Sequence, residues 1–390
     1  MLIVSIGQGL STGMISIMSN YIGANEKEKA NNVFWQGILI SIIISIICFV
    51  FAFFGLKELL IIMGAESVID LTMDYAQTVF AGSIIIILNT VTISSLRAEG
   101  DMKKASNITI FGFVLNIILD YFLIYFLNFG IWGAGAATIL STLIGTIVVI
   151  YWLFVKKDTY LQTKWSHFKF NMKYIKNILS LSIPATLEGF VMSFLFIFVN
   201  MMLIVAGGDI HVVAFTGSWK ILSLGMIPAI GVEAAILTIS GYYFGAGNYK
   251  RIKSIYKYSI IFSTTISIII AIILFIFANQ ISYLFTLLNG DKSLGYLIAN
   301  IIRLFGIYII FVPHGLSSTA MFQSAQKGFT SLSLVILRDL LLSTIFAYIL
   351  GILLNFGVYG IYVGIILGMI VSSIFSYFYF NWYLDKLKNN

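Results

Sequence analysis

The sequence has little charge, little proline and almost no cysteine, and each shortage excludes something. Charged residues make up 10% of the 390, against about 25% in a soluble domain. An ordinary water-soluble globular chain is therefore excluded. Three prolines leave room for long, mostly unbroken helices. The one cysteine, Cys48, sits in the apolar run ILISIIISIICFVFAFF, where it packs. It allows no intrachain disulfide and no thiolate metal cluster. The three histidines form no H-E-x-x-H motif, and His211 and His314 have no neighbouring ligand set. A metal centre or an intramembrane enzyme lacks its parts. The opening MLIVSIGQGLSTGM has no basic region of the kind that begins a signal peptide.

What remains is apolar: 59% hydrophobic residues and 33 glycines, with a mean hydropathy of +0.99. This predicts an all-α integral membrane protein. Eleven stretches have membrane length, with cores near 2–21, 33–54, 71–96, 105–127, 131–155, 178–205, 212–244, 255–277, 294–325, 331–354 and 358–383. Basic residues alternate between the loops. Of the 23, 18 fall on one side, and the opposite loops hold only Lys57 and Lys292. Positive-inside bias puts the 18, and the C-terminus, in the cytoplasm. The net charge of +7 is thus an orientation signal, and no nucleic-acid partner is expected. The longest polar connection, KKDTYLQTKWSHFKFNMKYIKN, includes Lys164 and predicts a helix on the inner leaflet, its lysines against lipid headgroups. It divides the chain into an N-terminal lobe, 1–155, a cytoplasmic linker, 156–177, and a C-terminal lobe, 178–390.

The lobes repeat each other. SNYIGANEKEKA matches GYYFGAGNYKRI at an offset of 222, and LNFGIWG matches LNFGVYG at 227. Two matches at nearly one offset signal a duplication. Both copies place the loop on the same side, so the repeats are parallel, about a pseudo-twofold axis along the membrane normal. Five spans are visible in the first lobe and six in the second. The missing counterpart would begin about 45 residues before Met1. The sequence therefore reads as an incomplete gene model or a truncated protein, with a genuine eleven-span chain as the alternative.

Polar residues inside the spans are the candidate sites. Asn116 and Asp120 lie i, i+4 on one helical face. A carboxylate at a span's centre costs about 2.5–3.5 kcal/mol, and no Lys or Arg lies within a turn to offset it. Glu188 follows Pro184 by four residues, and Glu233 lies in the apolar run GMIPAIGVEAAILTI. Lys220, Arg303, Arg338 and Asp339 are also intramembrane. Arg338 and Asp339 are adjacent, so on a regular helix they cannot face each other. Snorkelling or an interhelical ion pair is expected for them, or else a gate.

These segments resemble a known family. LRAEGDMKKA, NIILDYFLIYF and GIWGAGAAT are similar to the fourth to sixth helices of the multidrug and toxic compound extrusion (MATE) family, in its archaeal-type branch. GLSTGMISIMSNYIGANEKEKA resembles its second helix and following loop, and SIPATLEGF and GYYFGAGNYKRIK its seventh and eighth helices. The resemblance covers essentially the whole chain. It implies twelve helices in two lobes around a central cavity that opens alternately. It implies a monomer in the cell membrane, without a cofactor, that exports small organic compounds, cationic or lipophilic, against inward H⁺ or Na⁺. It implies an ion-coupling cluster of Asn116, Asp120 and Thr138, with Tyr75 lining the same lobe. The family's first-helix Asp has no counterpart here, and Tyr121 stands where a Pro often follows the family's Asp. The oxygen-only set suits Na⁺ with water, and a desolvated carboxyl suits a proton. Glu188 and Glu233 are read either as cavity-facing substrate or proton residues or as interfacial, structural ones. The competing readings are a lipid or polysaccharide flippase of the same superfamily, which favours a basic cavity, and an inactive truncated transporter.

The charge map is testable by labelling. In a Cys48→Ala background, a cysteine at Asn289 should react from outside and one at Asn248 from inside. Reaction of both from one side would break the map.

Overall fold

With no water in a bilayer core, an apolar chain must satisfy its backbone polar groups internally, and helices do this within one segment. A computed structural model describes residues 2–62, 69–161, 168–286 and 292–389. Lys164 and Asn289, named above, lie outside them. The chain separates into two compact units, Met1–Thr186 and Leu187–Asn390. The first contains α1 (Leu2–Gly23), α2 (Lys27–Phe54), α3 (Leu56–Ile62), α4 (Ile69–Ala81), α5 (Ser83–Ala98), α6 (Met102–Phe126) and α7 (Gly130–Lys156). It also takes the start of α8 (Met172–Gly207), inside which the boundary falls. The second contains the rest of α8, then α9 (Asp209–Gly245), α10 (Tyr249–Thr286), α11 (Lys292–Ile309), α12 (Val312–Ser324), α13 (Gly328–Leu353) and α14 (Gly357–Asn389).

Among the described residues, eight helices are long and apolar enough to cross a membrane, or ten if each of two bent pairs is one span. The eleventh expected span, near 2–21, is α1, which is not among these ten. Its middle carries Gly7, Gln8, Gly9, Ser11, Thr12 and Gly13. These small residues serve close helix approach instead of lipid contact. A Cβ at Gly9 would collide with Thr186 and Ser182, and one at Gly13 with Ser182 and Ile178. The core of the first unit gathers Leu10, Met14 and Ile17 of α1 with Phe34, Ile87 and Leu96. The second unit is more aromatic. Phe215 meets Phe305 at 5.8 Å and Tyr362 at 6.1 Å between ring centres. In that unit α13 and α14 touch through glycines: a Cβ at Gly364 would strike Ala347, and one at Gly368 would lie 2.5 Å from Ser343 N.

The duplication is visible in backbone turns that the two units repeat. Asn25 after α1 and Gly247 after α9 both have positive φ, at +61° and +67°. Gly100 (+86°) and Gln326 (+59°) form a second such pair, and Asn128 and Asn355 (both +55°) a third. The bend between 72–81 and 83–98 is 52°, and that between 293–309 and 312–324 is 48°. Left-handed residues are uncommon outside glycine, so their recurrence at nearly one offset, 222, 226 and 227, marks a copied framework.

The expected leaflet helix is not found among the described residues of the polar connection. Lys157 adopts φ +53° and ends α7. Residues 158–161 and 168–171 are irregular, and only 172–177 are helical, as the start of α8. Polar side chains of the first unit hold this segment instead. The Glu99 carboxylate accepts the Tyr160 N–H at 2.7 Å. The Lys104 ammonium donates to the Asp158 carbonyl at 2.6 Å and pairs with Asp101 at 3.0 Å. Asn31 donates to the Leu161 carbonyl at 3.0 Å, and Lys27 lies 3.8 Å from the centre of the Tyr160 ring. An extended backbone wired through its own amides cannot also be a helix.

Burial pushes the Glu99 carboxyl up to about 7, against the pull of the Tyr160 and Leu161 N–H groups. The folded chain thus holds a proton that the unfolded chain releases near its ordinary value. Stability is lost as pH rises through about 7, at a cost on the order of 2–3 kcal/mol once the group is ionised. Glu99→Gln keeps an acceptor for Tyr160 and removes the charge. It should raise the melting temperature in detergent at pH 8.5 and change it little at pH 4, where the carboxyl is protonated in folded and unfolded chains alike. Equal shifts at both pH values would show that the charge is not the cause.

Candidate functional site

The first unit encloses a polar cavity of about 230 Å³. Helical spacing builds its walls. Asn89, Thr90, Ile93 and Arg97 come from α5, and Thr109, Gly112 and Asn116 from α6. Thr138, Ser141, Thr142 and Gly145 come from α7, at i, i+3, i+4 and i+7. Gln8 and Ser11 of α1 complete it. The tight turn between α5 and α6 fixes the register, with Gly100 left-handed and the Asp101 side chain capping α6 by accepting the Lys104 N–H at 3.1 Å. Hydrogen bonds then hold the walls. Asn89 donates to the Thr146 hydroxyl at 3.0 Å, and Ser94 to the Ser11 hydroxyl at 2.7 Å.

Of the sequence-predicted residues, Asn116 and Thr138 line this one cavity. The Thr138 hydroxyl donates to the Ala134 carbonyl at 3.1 Å, so its lone pairs remain available as acceptors. Asp120 stands one turn beyond Asn116 on the same face of α6, outside the cavity lining. Asn116 Nδ2 and Asp120 Oδ1 are both enclosed and have no hydrogen-bond partner. Enclosed polar atoms without partners are rare in folded proteins and mark places where an ion, proton or water belongs. Tyr75 is not in the lining, and its side chain is 41% exposed. Its backbone carbonyl instead faces Gly135, three residues before Thr138, where α4 packs against α7.

The second unit holds the other predicted acids. The Glu188 carboxylate, on α8, accepts a hydrogen bond from the Gln323 amide of α12 at 2.8 Å. Glu233, on α9, lies within electrostatic reach of Glu188 and Arg338. The expectation that Arg338 and Asp339 cannot face each other is overturned. They form a buried bidentate pair, at 2.7 Å and 2.8 Å. The reason is a widened i→i+5 turn over Ile336–Leu342, with the Ser343 hydroxyl bonded to the Arg338 carbonyl five residues back. The altered rotation brings adjacent side chains together. Arg303 bonds the Asn279 side chain at 3.0 Å. Among the described residues, no three His, Cys, Asp or Glu side chains are grouped to hold a metal ion.

The residues missed in the sequence are the neutral ones, Asn89, Ser141 and Thr142, and also Arg97. Their signal was present: a Thr138–Ser141–Thr142–Gly145 stripe at helical spacing, and Asn89 and Arg97 two turns apart.

Long apolar helices around a polar hollow define a multi-pass helical membrane protein. The family model described as MatE matches residues 1–122 and 184–349, and the chain belongs to that family. A probable multidrug resistance protein NorM of Thermotoga maritima is 29% identical over 289 residues, covering 71% of this chain and 60% of that protein. The multidrug export protein MepA of Staphylococcus aureus is 23% identical over 336 residues, covering 84% of this chain and 71% of MepA. The chain thus spans about 60% of the length of the first of these relatives. Among solved structures, a multidrug resistance MATE family transporter of the MOP superfamily, in an outward-facing conformation, matches with a TM-score of 0.96. It is 32% identical, and the match covers 100% of this chain and 86% of that one. A MATE structure in the straight conformation matches at 0.95 with 33% identity, over 100% of this chain and 86% of that one.

The buried ion pair gives a prediction. Asp339→Asn leaves the Arg338 guanidinium uncompensated and should destabilise the protein by about 3–5 kcal/mol. The double change Arg338→Met with Asp339→Leu removes both charges and should cost much less. Thermal unfolding in detergent reads both. Equal losses would mean the pair's charge balance is unimportant.

Proposed function

We propose that the protein is a secondary transporter that exports small organic compounds, cationic or lipophilic, in exchange for H⁺ or Na⁺. The observation that carries this reading is the enclosed, unpartnered Asp120 Oδ1 on α6, one turn from Asn116, which lines a cavity with the acceptor hydroxyl of Thr138. A carboxylate in an apolar span that no basic side chain neutralises is a place to load a cation or proton. The names of the relatives, multidrug resistance and multidrug export proteins, support the export of organic compounds. Glu188 and Glu233 are the acidic side chains of the second unit that we assign to contact with cationic compounds. An ion drives a change of state only through its different affinity for the two states. Asp120 is the residue we assign to that difference, with Asn116 and Thr138 as neutral oxygen donors. Tyr75 contributes by placing α4 against α7.

Asp120→Asn tests this. Asn is less costly to bury than a carboxylate, so the variant should express and fold at least as well as the wild type. It cannot exchange a proton near neutral pH, and it offers one neutral oxygen in place of a charged pair. Gradient-driven efflux from vesicles should fall at least tenfold, while substrate binding in detergent persists. Uphill efflux at the wild-type rate would make this carboxylate structural.

A further inference from the structure

The cavity of the first unit carries one charge in its lining, and it is positive. Arg97 closes the α5 row of the wall, and the other lining residues are neutral. The Arg97 guanidinium makes no salt bridge, hydrogen bond or aromatic contact among the described residues. The nearby acids are engaged elsewhere. Glu99 is bonded to Tyr160, and Asp101 to Lys104. Asp120 lies outside the lining. The side chain is largely withdrawn from solvent, so the guanidinium has given up hydration without gaining a counter-ion. A charge withdrawn from water is retained where a partner of opposite sign visits it.

We propose that this cavity binds the anionic head of a small organic molecule, with Arg97 as the group that recognises it. A guanidinium presents a planar fork of donors that matches a carboxylate or phosphate with two parallel hydrogen bonds. The remaining lining suits the rest of such a ligand. The hydroxyls of Thr90, Thr109, Ser141 and Thr142 are given to backbone carbonyls, so the uncommitted donor beside Arg97 in the lining is Asn116 Nδ2, and Ile93, Ile108 and Phe113 offer apolar surface for the body. At about 230 Å³ the space lies just below that of drug-sized pockets, and it fits a small aromatic acid. Selection here runs opposite in sign to that of the carboxylates in the second unit. The assignment concerns binding, and it rests on the exporter reading only for the passage of the ligand across the membrane. A failure of ion coupling at Asp120 would leave it standing.

The test compares 2-naphthoate with 2-naphthamide, which have nearly the same shape and differ in charge. Their fluorescence is titrated with the purified full chain in neutral detergent at pH 7.5, with no gradient. The acid should bind at least tenfold more tightly than the amide to the wild type. In Arg97→Gln the two should bind alike, and Arg97→Lys should restore part of the preference. Short-chain phosphatidic acid is the competing arm. Displacement of naphthoate by an equimolar amount assigns the anionic head to a lipid, and retention of naphthoate assigns it to a small acid. Equal binding of acid and amide to the wild type, or binding of neither, overturns the proposal, whether or not the Arg97 variants fold. A preference for the acid that survives in folded Arg97→Gln overturns it too.

Discussion

A polar group withdrawn from water must find a partner, and in a chain this apolar that requirement governs nearly every polar residue between the membrane surfaces. Most satisfy it locally. Thr90, Thr109, Thr142 and Thr146 each donate to the carbonyl one turn back in their own helix. Arg338 and Asp339 satisfy it with each other, and one Glu188 oxygen with Gln323. Among the atoms left without a partner, those that fall on one helix face or in one cavity are informative. Asn116 and Asp120 hold atoms that nothing in the protein answers, and Arg97 holds a charge in the same position.

The same rule explains how the units hold together. Hydrophobic burial gives little drive between helices that could equally face lipid, so close packing of small residues does the work. Gly9 and Gly13 of α1 and Gly364 and Gly368 of α14 sit where any side chain would meet another helix. That accounts for the many glycines in the sequence. It also accounts for the polar middle of α1, whose small residues mark it as a helix for packing.

Much of the architecture was legible because period and punctuation survive in sequence. Apolar runs gave the helices, and two repeated loop motifs gave the duplication that Asn25, Gly100, Asn128 and their counterparts express as left-handed turns. Asn116 and Thr138 line one cavity; the family resemblance had put them together, while helical spacing tied Asn116 only to Asp120. Tyr75 lies outside the cavity lining and is 41% exposed, so the sequence offered no way to tell whether it joins the others. Arg338 with Asp339 was misread because a regular helix was assumed, and nothing in ILRDLLL announces a widened turn. The connection after α7 was misread because lysines and aromatics suggest a surface helix whether or not side chains elsewhere capture its backbone.

Those widened turns have a meaning for how such a chain changes over generations. An i→i+5 turn is, in effect, one extra residue accommodated without breaking the helix. Among the described residues four stretches carry it: Phe122–Phe126, Tyr151–Lys156, Ile336–Leu342 and Ile349–Leu353. Removing a single codon within Ile336–Leu342 would restore regular winding and leave all that follows in its present rotation. Ser343 and Ala347 would stay seated on Gly368 and Gly364, whereas a codon lost from a regular stretch of the same helix would turn them away by about 100°. The widened turns are therefore the places where this helix can lose a residue without losing its frame.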